Sequence, residues 1–234
     1  MIKKLDWDSN FFGYQIGKTV ILKESSFDFE IFKRRSIKYK LIYIYSEKKQ
    51  NLENFELLDR KVTFYQELAK YKQPFLKKHD ITIKSFDSRT DNLDSLINLS
   101  IESGIYSRFN LDKKITNSNF ERLYREWVLN SINGKLAFEV FVAKNVLGNL
   151  IGFITLGKIN EDVSEIGLIA VDKNERGKGV AQTLIERAIQ ESILLGYKKI
   201  EVVTQKDNIP AMKLYSRAGF LEKETTYIYH YWNL

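Results

Sequence analysis

The residues best suited to chemistry in this chain of 234 residues lie between Glu165 and Tyr215. Arg176-Gly177-Lys178-Gly179-Val180-Ala181 brings two glycines and two cations into one short stretch, directly after the polar run Asp172 to Glu175. Glycines let a backbone close on a bulky anion, and the first turn of a helix offers unpartnered N–H groups at the positive end of a dipole. Arg176 and Lys178 add charge, and the small Ala181 lets a helix start lie near its ligand. Such a turn can hold a pyrophosphate, and we read it as a coenzyme site. Two other phosphate loops are excluded by spelling: there is no Gly-Lys-Ser/Thr ending and no set of three spaced glycines.

Periodicity gives the elements that must position this turn. Glu165 to Val171 is a short apolar run, rich in isoleucine and bounded by polar residues, as a buried strand is. Val180, Ala181, Leu184, Ile185, Ala188 and Ile189 recur at helical spacing, and Gly196 stands where a left-handed cap would end the helix. Downstream, Lys198 to Gln205 reads as a second buried strand and Asp207-Asn208 as a turn. Pro210 suits the start of the helix that carries Tyr215.

Two spellings here resemble one family. Arg-x-x-Gly-x-Ala, at Arg176, Gly179 and Ala181 after a strand, resembles the acetyl-CoA-binding motif of the GNAT superfamily of N-acetyltransferases. Asn208, Ala211, Tyr215, Gly219 and Phe220 match the N-x-x-A-x-x-x-Y-x-x-x-G-F signature that closes the same domain. The resemblance covers about residues 81 to 234. It implies an α/β GNAT fold, a mixed and splayed central sheet flanked by helices, with acetyl-CoA as acyl donor. By the same resemblance, backbone groups of Leu168, Ile169, Ala170 and Val171 pair with the pantetheine arm, and one N–H there polarises the thioester oxygen. Arg176, Gly177, Lys178, Gly179, Val180 and Ala181 hold the pyrophosphate, and Asn208 touches the pantetheine. Tyr215 is then both a coenzyme contact and the general acid for the departing thiolate, a role its O–H suits at hydrogen-bond distance. Several members keep a carboxylate near Glu165 that works through water, but a surface glutamate with water alone as base also fits a sugar amine. No metal is required.

A narrower resemblance begins near the N-terminus. Trp7-Asp8-Ser9-Asn10-Phe11-Phe12-Gly13 resembles the start of the bacterial TDP-fucosamine acetyltransferases. These GNAT enzymes acetylate the 4-amino group of TDP-4-amino-4,6-dideoxygalactose and carry an extra N-terminal domain. Ser107-Arg108-Phe109 matches a stretch of the same enzymes. This implies that Phe11, Phe12, Ser107, Arg108 and Phe109 contact the substrate; an arginine can grip phosphate through a fork of hydrogen bonds, and an aromatic can stack on a base or cover a sugar. Taken alone, the first stretch is an aromatic plug in a core and the second a connecting loop.

Between these motifs, strand and helix signals alternate. Ile16 to Leu22 reads as a strand, Asp28 to Lys38 as a helix, Leu41 to Tyr45 as a strand, Leu52 to Asp59 as a short helix and Val62 to Leu68 as a strand. Leu57-Leu58-Asp59-Arg60 echoes Leu214-Tyr215-Ser216-Arg217. The N-terminal part therefore reads as a smaller α/β domain, a degenerate half-copy of the GNAT fold with Leu58 in the place of Tyr215. Tyr71 to Asp80, with Pro74 and several lysines, reads as a linker, which gives domains at 1–75 and 81–234. Ile81 to Ile83 is then a strand, and Asp91 to Ser103 a helix ended by Gly104. Ser118 and Glu121 have capping-box spacing for a helix with Phe120, Leu123, Tyr124, Trp127 and Val128 inward. Leu136 to Ala143 and Leu150 to Leu156 form a hairpin, and Thr225 to Trp232 a last strand with Tyr227, Tyr229 and Tyr231 on one face.

Composition bounds the function. Hydrophobic residues at 44% and charged residues at 29% exclude extensive disorder. The absence of cysteine excludes disulfides, thiolate metal sites and a cysteine nucleophile, and fits a reducing compartment. The first residues lack the apolar core of a signal peptide and no run is long enough to span a bilayer, so the expectation is a cytoplasmic protein without a membrane partner. A net charge of +7 suits anionic ligands. Lys33-Arg34-Arg35 with Lys38 reads as a solvated helix face, not a nucleic-acid site, and His79 and His230 lack a metal-ligand pattern. The expected protein acetylates a nucleotide-linked amino sugar for surface polysaccharide. A peptide N-terminus, a polyamine or an antibiotic as acceptor stays open, as do a non-catalytic acyl-CoA-binding module and a homodimer.

Overall fold

A computed structural model describes residues 1–22, 27–51, 55–71 and 80–233; most of the expected linker, 72–79, lies outside them. In chain order the elements are β1 (Lys3–Lys4), α1 (Asp6–Phe12), β2 (Ile16–Ile21), α2 (Phe29–Ser36), β3 (Leu41–Ser46), β4 (Glu56–Glu67), β5 (Ile81–Ser85), α3 (Leu93–Ser103), α4 (Arg108–Leu111), α5 (Asn117–Ile132), β6 (Glu139–Asn145), β7 (Leu150–Asn160), β8 (Val163–Val171), α6 (Val180–Leu194), β9 (Lys199–Gln205), α7 (Ile209–Arg217) and β10 (Leu221–Trp232). They form two compact units, one of residues 1–62, 205–207 and 224–234, the other of residues 63–204 and 208–223. The strand β4 begins in the first unit and ends in the second.

In the first unit the strand order is β1-β2-β3-β10-β4. The strands β2 and β3 are parallel, with α2 as their crossover, and β10 runs antiparallel to β3. The side chain of Asp28 caps α2 by accepting from the Ile31 N–H at 2.9 Å. Phe32 packs with Ile42, Ile44, Tyr229 and Tyr231, so the alternating tyrosines of β10 are core residues. The opening aromatic stretch is the helix α1, closed by Gly13 at φ 78°. Ser9 fastens it: its Oγ donates to the Leu5 carbonyl at 2.6 Å and accepts from the Ile16 N–H at 2.9 Å. Of the expected helix at Leu52 to Asp59, the part from Glu56 is strand. Residues 52–54 lie outside the described set, and from Glu56 the chain is one strand of 12 residues. The β-branched and aromatic run Val62-Thr63-Phe64-Tyr65 extends backward through Leu57-Leu58, overriding the helical reading of that apolar pair. Leu58 is therefore a strand residue and not the counterpart of the helical Tyr215.

In the second unit the order is β4-β9-β8-β7-β6-β5, antiparallel from β5 to β8 and parallel between β8 and β9. One face carries α3 and α5, whose Leu96, Ile97 and Val128 pack on Val140, Val142, Phe153 and Ala170. Phe141, one step out of phase with Val140 and Val142, points to the opposite face. There the Arg187 guanidinium of α6 lies 4.3 Å from its ring centroid. Leu184, Ile185, Ala188 and Ile189 of α6 are all fully buried; a leucine or isoleucine so placed contributes about 2 kcal/mol. The C-cap of α3 is Gly104, and glycine stands there for want of space: a Cβ would lie 2.3 Å from the Tyr124 ring. The cap of α5 is Thr116, not Ser118; the Thr116 Oγ1 accepts from the Asn119 N–H at 3.3 Å, which puts Ser118 inside the first turn. Among the described residues no helix is long and apolar enough to cross a membrane.

Glu186, on α6, is 2% exposed, and among the described residues neither carboxylate oxygen meets a hydrogen-bond partner. Burial pushes its pKa up to about 7. The native state then holds a proton that the unfolded chain loses near pH 4 to 5, so stability falls as pH rises through that value towards 7 and levels off above it. A shift from 4.5 to about 7 corresponds to about 3 kcal/mol. Urea denaturation of Glu186→Gln should therefore show a gain of about 2 to 3 kcal/mol over the parent at pH 8, closing by pH 5. A gap of constant size across that range would mean that Glu186 ionises normally.

Candidate active site

The glycine turn sits at the end of a strand that has lost one neighbour. The strands β8 and β9 pair only from Val163↔Lys199 to Ile166↔Val202, although β8 continues to Val171 and β9 to Gln205. On its other edge β8 stays paired with β7 through Val171. Two irregularities interrupt that ladder, one between Lys158 and Asn160 and one beside the gap, where the register passes from Leu156↔Ile166 to Ile154↔Ile169 and Thr155 opposes both Gly167 and Leu168. The Thr155 Oγ1 accepts from the Leu168 N–H at 2.8 Å. Beyond the bulge the Asp172 N–H donates to the Ile151 carbonyl at 2.8 Å. Antiparallel alternation then assigns the Ala170 N–H to Phe153 and turns the N–H groups of Ile169 and Val171 to the edge that β9 has left. An extended arm bearing amides can pair with such an edge as another strand would. Of the four residues expected to hold pantetheine, Ile169 and Val171 present their main chain to the gap, while Leu168 and Ala170 face β7 and the core.

The turn itself is built for an anion. Gly177 and Gly179 have φ of 78° and 83°, in the left-handed region. A Cβ on Gly177 would meet nothing within 4 Å, so glycine serves the backbone angle there and not close packing. Gly179 is the N-cap of α6 and supplies no side-chain cap. The first bond within α6 runs from the Thr183 N–H to the Gly179 carbonyl at 3.0 Å, which leaves the amides of Val180, Ala181 and Gln182 for a ligand. Val180 contributes its amide alone, because its side chain is buried. The two cations already have partners. The Arg176 Nε donates to the Val171 carbonyl at 2.9 Å and its Nη2 to Glu102 Oε2 at 2.8 Å, so it braces the turn against the end of β8 and against α3. Lys178 pairs with Glu175 at 2.9 Å. These residues fit a pyrophosphate chiefly through main-chain N–H groups.

Tyr215 is 2% exposed and lies between Phe64 and Phe220, at centroid distances of 5.7 and 6.0 Å. Burial raises its phenol above the ordinary value, so it keeps its proton at every working pH and can donate but not act as a base. Asn208 is the N-cap of α7, with Oδ1 accepting from the Ala211 N–H at 3.2 Å. Pro210 stands one place inside the first helical residue, Ile209. Glu165 is half-buried, and its pKa is raised first by burial and then by Glu201, directly opposite on β9. Gly157 stands opposite on β7, where a Cβ would crowd the Leu136 carbonyl at 2.7 Å and reach the Glu165 side chain only at ordinary contact distance, 3.5 Å.

The residues expected to touch the acceptor fall in different surroundings. Ser107 precedes α4 and is buried, with no hydrogen bond to its Oγ among the described residues. Phe109 is 3% exposed, edge-on to Trp127 at 5.7 Å, and the Arg108 guanidinium lies 4.2 Å from its centroid. Phe109 thus supports Arg108 and offers no free face to a base. In the other unit, Phe12 is buried, and Phe11 stacks at 5.2 Å on Trp7, which is 46% exposed. Sequence reasoning passed over Thr155, Glu102 and Trp7. For Thr155 the available signal was a hydroxyl in the middle of the apolar run Ile151 to Leu156.

A parted pair of parallel strands with a glycine turn and an uncapped helix start at its end belongs to an acetyltransferase. Residues 104–220 match the Acetyltransferase (GNAT) family, and the chain belongs to that family, whose acyl donor is acetyl-CoA. Its relatives include the spore coat polysaccharide biosynthesis protein SpsD of Bacillus subtilis, 27% identical over 59% of this chain and 47% of that protein. The dTDP-fucosamine acetyltransferase of Escherichia coli is 26% identical over 45% of each chain. The chain thus spans about half the length of the curated relatives it matches. Among solved structures, a functionally unknown conserved protein from Staphylococcus epidermidis superposes with a TM-score of 0.64 at 14% identity, over 94% of this chain and 85% of that one. The PaiA N-acetyltransferase of Thermoplasma acidophilum, in complex with coenzyme A, gives 0.53 at 21% identity, over 66% of this chain and all of that one. These likenesses are of fold.

The cap at Asn208 separates two roles that its motif position merges. Asn208→Ala should cost about 1 kcal/mol in thermal unfolding and also weaken coenzyme A binding. Asn208→Asp keeps the capping oxygen and loses the amide donor, so it should keep the unfolding temperature and lose affinity in calorimetry. Full affinity in the aspartate variant would make Asn208 a cap only.

Proposed function

We propose that the protein moves an acetyl group from acetyl-CoA to the amino group of a nucleotide-linked amino-deoxysugar, with TDP as the nucleotide, in the cytoplasmic synthesis of surface polysaccharide. The carrying observation is the edge of β8 at Ile169 and Val171, unpaired with β9 and continuous with the glycine turn. The sugar acceptor rests on the Trp7 to Gly13 and Ser107 to Phe109 spellings and on the two polysaccharide-related relatives.

In this reading the donor lies along β8, its pyrophosphate on the amides of Val180 and Ala181 and its pantetheine amides on Ile169 and Val171. Binding thereby orients the thioester before reaction. The Ile169 N–H, turned into the gap, donates to the thioester oxygen as negative charge develops there. The sugar amine attacks the carbonyl carbon directly and passes its proton to water held by Glu165, whose raised pKa makes it a better base than an exposed carboxylate. As the carbon–sulfur bond breaks, Tyr215 gives its proton to the thiolate. Its buried phenol is fully protonated beforehand.

Thiol release from acetyl-CoA across TDP- and UDP-linked amino sugars, spermidine and a peptide amine tests the reading. The expected result is turnover on a TDP-4-amino-deoxysugar, with kcat lowered about 100-fold or more in Tyr215→Phe. Turnover on spermidine or the peptide alone would remove the sugar, and absence of coenzyme A binding would remove the donor. In the pH profile of kcat/KM, the parent should lose activity as pH falls through the raised pKa of Glu165, and Glu165→Gln should be slower and lack that limb. An unchanged limb in the variant would leave water as the only base.

A further inference from the structure

We infer that Thr155 is a positioning residue for acetyl transfer: its hydroxyl fixes the bulge of β8 and so aims the Ile169 N–H into the gap beside β9. The inference rests on the donor site proposed above. In a regular antiparallel ladder one residue of β7 would face one of β8. Here Thr155 faces two, Gly167 and Leu168, and the Leu168 N–H finds the Thr155 Oγ1 at 2.8 Å. A bulge leaves an N–H that needs a partner where water is scarce; the Leu168 N–H is part-buried and its acceptor, Thr155, is 2% exposed. The other bulge residue is fitted to the same oxygen. A Cβ on Gly167 would stand 2.9 Å from the Thr155 Oγ1, so glycine at 167 and threonine at 155 form one device.

The device sets phase. Inserting one residue shifts which N–H groups of β8 point to β7 and which point away. With Leu168 held by Thr155 and Ala170 by Phe153, Ile169 is the first amide past the bulge that faces the gap. Without the hydroxyl the Leu168 N–H loses its partner at the bulge, the ladder is held in phase only from Phe153↔Ala170 onward, and the Ile169 N–H is less firmly kept on the line to the thioester oxygen.

The test compares Thr155→Val, which keeps the shape and loses the acceptor, with Thr155→Ser, which keeps the acceptor and loses the methyl. Two readouts are taken: hydrogen exchange of the Leu168 amide, which needs no ligand, and kinetics with acetyl-CoA and whichever amine of the panel reacts. Thr155→Val should exchange Leu168 at least tenfold faster and lower kcat 10- to 100-fold, with KM for acetyl-CoA within threefold of the parent. Thr155→Ser should stay within about threefold of the parent in both readouts. A residue that merely fills space would give the reverse order, serine worse than valine, and that order overturns the inference. So does unchanged Leu168 exchange in Thr155→Val. If the parent fails to bind coenzyme A, the donor site itself is wrong and the inference falls with it, an outcome distinct from normal binding with equal kcat in parent and Thr155→Val.

Discussion

The interaction on which the second unit depends is one that stops: the hydrogen bonding between β8 and β9 ends at Ile166↔Val202. Main-chain groups cannot be left unpaired inside a protein without a cost comparable to a lost hydrogen bond. The arrangement is stable because only one edge of β8 is released, while the other stays laced to β7 through Val171. The released edge is the place where a ligand made of amides gains most by binding. The turn after Val171 adds a second set of unused donors at the start of α6, continuous in the chain with the released edge.

Charge is handled sparingly around that edge. Arg176 and Lys178 are each paired with a carboxylate, Glu102 and Glu175, so what the turn offers an anion is mainly its oriented peptide groups. Titratable groups are tuned by withholding water. Burial keeps the proton on Tyr215, and burial with a facing Glu201 lifts Glu165. Both shifts favour the neutral form of the side chain.

The parts legible in the sequence were those where local signals and packing agree. The run Glu165 to Val171, the stripe from Val180 to Ile189 and the cap-and-proline start of α7 each carry their periodicity and their punctuation together, and the structure follows them. The strand at Glu56 was misread because Leu57-Leu58 looks helical in a short window, while the pairing that makes it a strand comes from residues far away in the chain. Gly104 ends its helix as its place in the sequence suggests, but with an ordinary backbone angle, and it is the Tyr124 ring that forbids a side chain there. Phe109 looked like a stacking surface because aromatics in a loop often are, yet α4 folds it against Trp127. The parting of the strands left no local mark, since Leu168 to Val171 reads as buried whether or not β9 accompanies it.

The interleaving of the two units has a consequence for biosynthesis. Ribosomes deliver a chain from one end, yet the first unit takes residues 1–62 together with 205–207 and 224–234. In it β3 gains its antiparallel neighbour only when Tyr227 to Trp232 arrive. Until then Leu41 to Ser46 carries an open, strongly apolar edge of the kind that nascent chains must shield from one another. All residues of the second unit have been made before the closing strand of the first is complete. The unit whose first strands are translated early is therefore completed after the other, and the edge of β3 waits through the synthesis of every residue between Ser46 and Tyr227.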